Sequence, residues 1–503
     1  MAGTNSLLFS RKGPMKTRLI LNLFSTLSQL SPALAPAEQV NYLEHALEAY
    51  IEPENAYGSL ADVEVFPQFI GETSTKTRPG LKAPIQLVTD AAIASTGSGG
   101  LDNGVTPADP AIEQYVFTPG TYEDGANIDI AVKNFMIVDR FRHYVKMNAI
   151  QAMQSRDVLC RDALIKGYLT GTAQVTTGAP YSLTTTPQAV HVDDIRGLST
   201  AIQNGVESAV TGSNTLAAVV YPAGNPTGSY AITISAAAAD STSTSPLFLV
   251  GSPAFALGTS RGNGVSGTVT IALASGTKTL SQQDVIIAGD APAQFLPNAK
   301  SHWSYLNAGD LLTQNMLLDA RTYLEDQGVE PLDDGTFLMV SSHRSLRALW
   351  SDQDFQQAWR GLGQSDIYSR GRVDKYLGIT FLRSTNAPRI TITTGVQSNQ
   401  PATGYVHLPM MMGKGNLVDV WYEGLEDWAN NENQNSVVKL NRLGLAQVIT
   451  KPIDRMGRQL KMSWLTIRDA VAPTDVTANS TIVLTAGNSR RKRGVIMPHG
   501  ASV

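Results

Sequence analysis

Ala308–Gly361, AGDLLTQNMLLDARTYLEDQGVEPLDDGTFLMVSSHRSLRALWSDQDFQQAWRG, changes its apolar period twice. Over 308–327 Leu311, Leu312, Met316, Ala320 and Leu324 share one helical face, with Asp310 near the start and Gly328 as the stop. The run FLMV then reads as a strand, and SHRSLRALW and DQDFQQAWRG read as helices. Beyond it YLGITFLRST, RITITTG and TGYVHLPMMM predict strands, as do LVDVWYE, SVVKLNRLGLAQVIT, KMSWLTI and STIVLTA between 416 and 486. The end, NSRRKRGVIMPHGASV, reads as a polar tail with a basic cluster.

Working toward the N-terminus, residues 206–300 hold almost no Lys or Arg. They alternate in LAAVVYPA, SYAITISA, PLFLVG, GTVTIALA and DVIIAG, the pattern of an all-β module inserted into a mixed chain. DDIRGLSTAIQNG predicts a short helix capped by Asp193 or Asp194. Residues 138–169 predict one long helix without proline. Its charges (Arg140, Arg142, Lys146, Arg156, Asp157, Arg161, Asp162) read as a solvated face. VEVFPQFI and PIQLVTD read as strands, and EQYVFTPGTYEDGANIDI as a strand pair. With the Gly/Ser-rich loop at 95–109 they form one long two-stranded arm. Such an arm is too thin to bury a core of its own. Residues 1–60, broken by Pro14, Pro32, Pro36 and Pro53, read as an extended arm with helical spacing at Val40, Leu43, Leu47 and Tyr50.

Composition narrows the function. The chain has 503 residues, 42% hydrophobic and only 16% charged, against roughly 25% charged in an ordinary soluble protein. A weakly charged surface suits a protein packed against its own copies, since interface cores are depleted of charge. A net charge of −4 argues against a dedicated nucleic-acid binder. The single cysteine, Cys160, permits no internal disulfide and reads as core. The segment from Met15 imitates a signal peptide, but Asn22, Ser25, Thr26, Ser28 and Gln29 break its apolar run. No stretch reaches the roughly 18 uninterrupted apolar residues of a membrane span.

No catalytic constellation emerges. The runs GSGGLDNG and SRGNGVSG lack the strand-before, helix-after setting of a phosphate loop. His191, Asp193 and Asp194 have no second ligand cluster at metal spacing. Ser341, Ser342 and His343 are too close in sequence for a nucleophile, a base and an orienting group, and there is no G-x-S-x-G elbow. Met410–Met412 suits adaptable packing. Arg490, Arg491, Lys492 and Arg493 suit phosphates, an acidic neighbouring surface, or solvent.

The order of these elements resembles the major capsid proteins of tailed bacteriophages of the Hong Kong 97 type, nearest the branch of the phage N-four major capsid protein. The residues that carry the resemblance are Ala308–Gly361 and Tyr368–Thr385. They include a V-x-P link (Val329, Glu330, Pro331), a D-x-D-F helix start (Asp352–Phe355) and an L-G-I-x-F strand (Leu377–Phe381). GTVTIALA and DVIIAGDAP, ahead of the turn into the helix at 308, add to it. The resemblance implies an α+β, Hong Kong 97-like capsid fold with an inserted all-β domain. Residues 1–60 would be the N-terminal arm and 61–130 the E-loop hairpin. Residues 131–205 would be the peripheral domain with its spine helix and the entry to the axial domain, 206–300 the inserted β domain, 301–425 the axial domain, and 426–503 the peripheral return and tail.

It further implies a structural protein rather than an enzyme, with no cofactor and no metal. The subunit would form hexamers and pentamers of an icosahedral head, assembled in the bacterial cytoplasm and ending in the virion. Portal, scaffolding and decoration or cement proteins would be its partners, and double-stranded DNA would be enclosed without specific binding. Leu43, Leu47, Tyr50, Leu81, Ile85, Leu87, Tyr115, Phe117, Arg140 and Arg142 are the expected inter-subunit contacts. A phage tail or baseplate protein and a secreted β-rich adhesin are the alternatives.

Overall fold

The computed structural model describes residues 56–66, 73–79, 112–129, 140–176, 179–203, 206–223, 228–240, 249–250, 266–300, 302–307, 309–360, 373–393, 403–424, 436–438, 444–450, 459–474 and 491–501. The chain passes repeatedly through two units. The larger comprises Asn55–Gly120, Gln154–Trp421 and Arg468–Val503. The smaller comprises Met1–Glu54, Thr121–Met153 and Tyr422–Ile467.

The first strands are β1 (Asp62–Phe66), β2 (Ser74–Pro79), β3 (Ile112–Phe117) and β4 (Gly120–Asp129), followed by helix α1 (Arg140–Tyr168). β2 and β3 pair antiparallel along their length, Ser74 opposite Phe117 and Pro79 opposite Ile112. The strand read over VEVFPQFI ends at Phe66, and PIQLVTD lies outside the described residues. The expected pairing of β3 with β4 does not form. A two-residue hairpin link needs positive φ, which Pro119 cannot adopt, and β4 joins a different sheet from the β2–β3 pair. α1 is uninterrupted because 140–168 holds no proline, and its 29 residues span roughly 43 Å. Gly171, at φ +86°, turns the chain out of it.

The β-rich stretch follows with β5 (Thr172–Gln174), β6 (Tyr181–Leu183), β7 (Gln188–Val192), β8 (Thr200–Gln203), β9 (Val206–Ala209), β10 (Leu216–Tyr221), β11 (Tyr230–Ala239), β12 (Leu249–Val250), β13 (Gly267–Ala272), β14 (Lys278–Leu280) and β15 (Val285–Ala288). Six of them form one sheet in the order β5-β15-β10-β11-β13-β7. β13 alternates buried and half-buried positions. Its Val269 and Ile271 meet Val190, Val220 and Ile234 in a core closed to solvent. The sheet takes β5 and β7 from residues before 206. The helix expected in DDIRGLSTAIQNG is replaced by a turn and the hairpin β8–β9, Thr200 opposite Ala209. Both candidate caps are spent elsewhere: Asp193 Oδ1 accepts the Gln174 amide at 2.6 Å, and Asp194 grips Arg196. Gly197 is also a poor helix former.

The next elements are α2 (Gln314–Asp326), β16 (Phe337–Ser341), α3 (His343–Leu349), α4 (Gln353–Arg360), β17 (Lys375–Tyr376), β18 (Ile379–Arg383), β19 (Arg389–Thr393), β20 (Thr403–His407), β21 (Met410–Met412) and β22 (Val418–Tyr422). They are followed by β23 (Ser436–Val438), β24 (Ala446–Thr450), β25 (Gln459–Val471), β26 (Gly494–Ile496) and β27 (His499–Ala501). β16 is buried at every position and lies in a sheet ordered β17-β18-β16-β21-β26. It runs parallel to β18, and α3 and α4 supply the crossover that a parallel pair requires. α2 begins at Gln314 and not at 308, because Thr313 is its N-cap, with its hydroxyl accepting from the Met316 amide. Gly328 (φ +68°) ends α2. Its amide donates to Glu325 and the Val329 amide to Leu324, so the V-x-P link opens as a Schellman turn.

The other quoted motifs also resolve into packing. Asp352 Oδ2 accepts the first amide of α2, from Gln314, at 2.6 Å, while Oδ1 accepts the Asp354 amide at 3.2 Å. Phe355 is fully buried, edge-on to Trp350 and Tyr376. Leu377 and Gly378 both take positive φ, closing the tight β17–β18 hairpin. The Met triplet is β21, buried opposite Leu338–Val340 of β16. Within the expected polar tail, Gly494–Gly500 is instead interior. β26 pairs with β21 and β27 with β20, and Val495, Ile496, Met497 and His499 are closed to solvent. The apolar GVIM run outweighs the charges before it, and a strand slot beside β21 accepts it.

In the smaller unit β23, β24 and the first part of β25 pair antiparallel, Val437 opposite Val448 and Val448 opposite Ser463. Ala149, Ala152 and Met153 of α1 pack there against Leu445 and Trp464. Trp464 Nε1 donates to Gln151 Oε1 at 3.3 Å.

Candidate functional site

The centre of the larger unit is a buried charge cluster on α1, where the sequence RDVLCRD led to the expectation of a solvated face. Arg156, Asp157, Arg161 and Asp162 are all buried. Burying ionised groups is costly unless each is paired and hydrogen-bonded. Arg156 Nε donates to Asp419 Oδ2 of β22 at 2.7 Å and its Nη2 to the Gly58 carbonyl at 3.0 Å. Arg468 of β25 approaches the same Asp419 oxygen at 3.5 Å. Asp157 accepts the Tyr57 and Gly58 amides through Oδ1 and the Asn386 amide group through Oδ2. Arg161 bonds Asp162 and the Asn386 carbonyl.

Three guanidiniums thus face three carboxylates, which leaves the cluster neutral. Burial pushes the Asp157 carboxyl up, opposed by its Asn386, Tyr57 and Gly58 hydrogen bonds. Burial also pushes up the Tyr57 phenol and the Cys160 thiol. The cluster pins the turn at 56–60 and the loop at 386 to the helix, and it presents no accessible nucleophile. The sequence signal was the repeated Arg-Asp doublet five residues apart. Spacing alone could not separate a solvated stripe from one enclosed on every side.

A second cluster lies at the start of α3. Ser342 caps the helix and contacts His407 Nδ1 at 3.1 Å. Ser345 Oγ donates to His499 Nε2 at 2.9 Å, and His499 Nδ1 donates to the Gly500 carbonyl at 2.7 Å. These are serine–histidine pairs, but with histidines distant in sequence. His343 beside them is exposed. His407 and His499 stack at 5.7 Å, facing each other across β20 and β27. Burial lowers both, His407 to about 3, with its neighbours His499, Arg344 and Arg389 adding to the effect, and His499 to about 4. Ser345 and His499 are closed to solvent, so this pair ties strand to helix.

The remaining expected site residues fall as follows. Leu43, Leu47, Tyr50, Leu81, Ile85, Leu87 and Arg490 lie outside the described residues. Arg140 and Arg142 belong to the first turn of α1. Tyr115 and Phe117 are buried within this chain as an edge-on pair at 5.1 Å. Val116 between them faces outward, 52% exposed. Val63 and Val65 of β1 are exposed as well. Between them Glu64 bonds Lys76 of β2 and Tyr115 of β3. Arg491 is no free tail residue, since its Nη1 donates to the Gly167 carbonyl near the end of α1 at 3.0 Å. Lys492 is buried, and Arg493 reaches the Lys414 carbonyl. Asp194 is taken by Arg196, and among the described residues no three His, Cys, Asp or Glu groups converge on a metal position.

No family model matches the sequence, and no curated protein matches it. Solved structures similar to the chain include the capsid of Ralstonia phage GP4, at 9% identity and TM-score 0.44 with 89% of each chain covered. The likeness is to bacteriophage capsids. The cyanophage Pam1 capsid shares 11% identity at TM-score 0.42, covering 91% of this chain and 92% of that one. The cyanophage P-SCSP1u capsid shares 9% at TM-score 0.42, covering 88% and 87%. Among the described residues no helix is long and apolar enough to cross a membrane.

Proposed function

We propose that this chain is the major capsid protein of a tailed bacteriophage, self-assembling into hexamers and pentamers that close an icosahedral head around double-stranded DNA. The observation that carries the reading is the order of elements. Tyr57 is held by Asp157, and the two-stranded arm β2–β3 precedes the long helix α1. The chain then returns through β25 after the α2–β21 region. That is the order which the motif resemblance implies.

Support comes also from Val116 on the two-stranded β2–β3 arm and from Val63 and Val65 on β1, apolar side chains exposed on this chain. In a closed shell each such contact repeats on every subunit, so modest contacts add up. Portal, scaffolding and decoration proteins belong to the same proposal, as does the virion location.

Expression of the full chain in bacteria, with negative-stain microscopy and mass measurement, tests it. Shells or rings of five or six subunits are expected. A monomer that stays monomeric beside its scaffolding partner would favour a tail protein or an adhesin.

A further inference from the structure

A pocket of about 250 Å³ opens in the larger unit between α3 and the end of β18. His343, Arg347 and Arg383 line it, with Leu346, Trp350 and Val373 as apolar walls. No Asp or Glu is among its described lining residues. Arg347 is exposed and Arg383 half-buried, and neither has an ion-pair partner among the described residues. Asp374, which follows Val373, is paired with neither arginine. A guanidinium beside apolar surface suits a carboxylate, which it can hold by two parallel hydrogen bonds.

The same sheet carries a complementary turn at its other end. β16 runs parallel to β18, so Arg383 lies opposite Ser341, the last residue of β16, while residues 330–336 lead into its first, Phe337. Glu330, Asp333 and Asp334 are exposed there around half-buried Pro331 and Leu332. Asp333 is 96% exposed, and its pair with Lys414 at 3.3 Å faces solvent, where an ion pair contributes little. Glu330 has no ion-pair partner among the described residues. The length of β16, roughly 17 Å, separates turn from pocket, so a chain's turn cannot enter its own pocket.

We infer that the pocket of one copy receives the Glu330–Asp334 turn of the next, with Arg347 and Arg383 on the carboxylates and Leu332 against the apolar walls. Opposite charges at opposite ends of one sheet make the contact head-to-tail, and such a contact repeated by rotation closes into a ring. The contact lies within a ring of the proposed capsid and rests on that reading. Nucleic acid fits the pocket less well. Two guanidiniums and an imidazole are few for a phosphate backbone, and the apolar walls have nothing to meet on it.

The test is charge reversal in the full chain, read by negative-stain microscopy and mass measurement. Arg347→Glu with Arg383→Glu, and separately Glu330→Lys with Asp333→Lys, should each lose rings and shells while melting near the wild-type temperature. The chain carrying all four substitutions has the same contact with its signs exchanged and should regain assembly. If a reversed pair melts well below the wild type, Arg347→Gln and Asp333→Asn replace it, with a partial loss of assembly expected. Wild-type assembly by the variants, or a loss that the fourfold chain does not reverse, would overturn the inference. Loss of duplex DNA binding from an arginine variant that still forms normal shells would assign the pocket to nucleic acid instead. A wild type that forms no rings even with its scaffolding partner would overturn the capsid reading, and this contact with it.

Discussion

Arg156 and Asp419, 263 positions apart, meet at 2.7 Å with side chains only 3% and 1% exposed. The pair joins α1 to β22, and Arg468 brings β25 to the same carboxylate. Asp419→Ala takes the ion-pair partner from buried Arg156 and a nearby carboxylate from Arg468. A loss of about 3–5 kcal/mol is expected, as when one partner of a buried pair is removed. Denaturant midpoints of the two proteins check it, and an unchanged midpoint would mean that the cluster contributes no net stability.

Val116 stands apart from its neighbours Tyr115 and Phe117 by facing outward. Val116→Glu should leave the melting temperature nearly unchanged, at a cost below about 1 kcal/mol for a solvent-facing strand position. The same variant should lose assembly under the microscope. Deleting 96–108 should act alike, sparing the subunit fold and damaging shells. Normal shells from either variant would separate the arm from assembly.

His407 and His499 are neutral in the folded chain, with values lowered to about 3 and about 4 against 6.5 when unfolded. The unfolded chain therefore binds protons first as pH drops. Stability from this pair is whole above pH 6.5 and declines as pH falls toward 4 and 3. Melting temperatures across that range should show an acid limb, flattened in His407→Gln.

Gly197 has no room for a methyl group, with the Gly171 nitrogen 2.2 Å from the Cβ position. Gly197→Ala should cost a few kcal/mol through overpacking, read as a lower melting temperature. Gly276→Ala makes a poor control because φ there is +81°. Gly212→Ala, where a Cβ meets nothing within 4 Å, is the better one.

Cys160 is closed to solvent, and burial holds its thiol well above the usual range. Folded protein should resist thiol reagents, which act on the thiolate, and denatured protein should react with one equivalent. Fast reaction of the folded chain would contradict the packing around α1.

Periodicity and punctuation were enough for the local elements. Proline-free spacing fixed α1, Gly328 marked the end of α2, and the alternation of GTVTIALA and LAAVVYPA became β13 and β10 of one sheet. These are properties of neighbours in sequence, and each is settled within a few residues. The sites were less legible. That Asp157 holds Tyr57, that Ser345 meets His499 and that Gly494–Ile496 lies paired in the interior depend on partners far away in the chain. A charged residue on a helix is solvated or buried according to what packs around it, which spacing does not encode. DDIRGLSTAIQNG shows the same limit: its two aspartates are good helix caps by type, but Gln174 and Arg196 claimed them, and the segment became a hairpin. The sequence by itself determined the long helix, most of the strands and the weakly charged, assembly-suited composition. Only the tertiary structure decided which charges are paired inside, because that depends on the long-range packing that removes water from them.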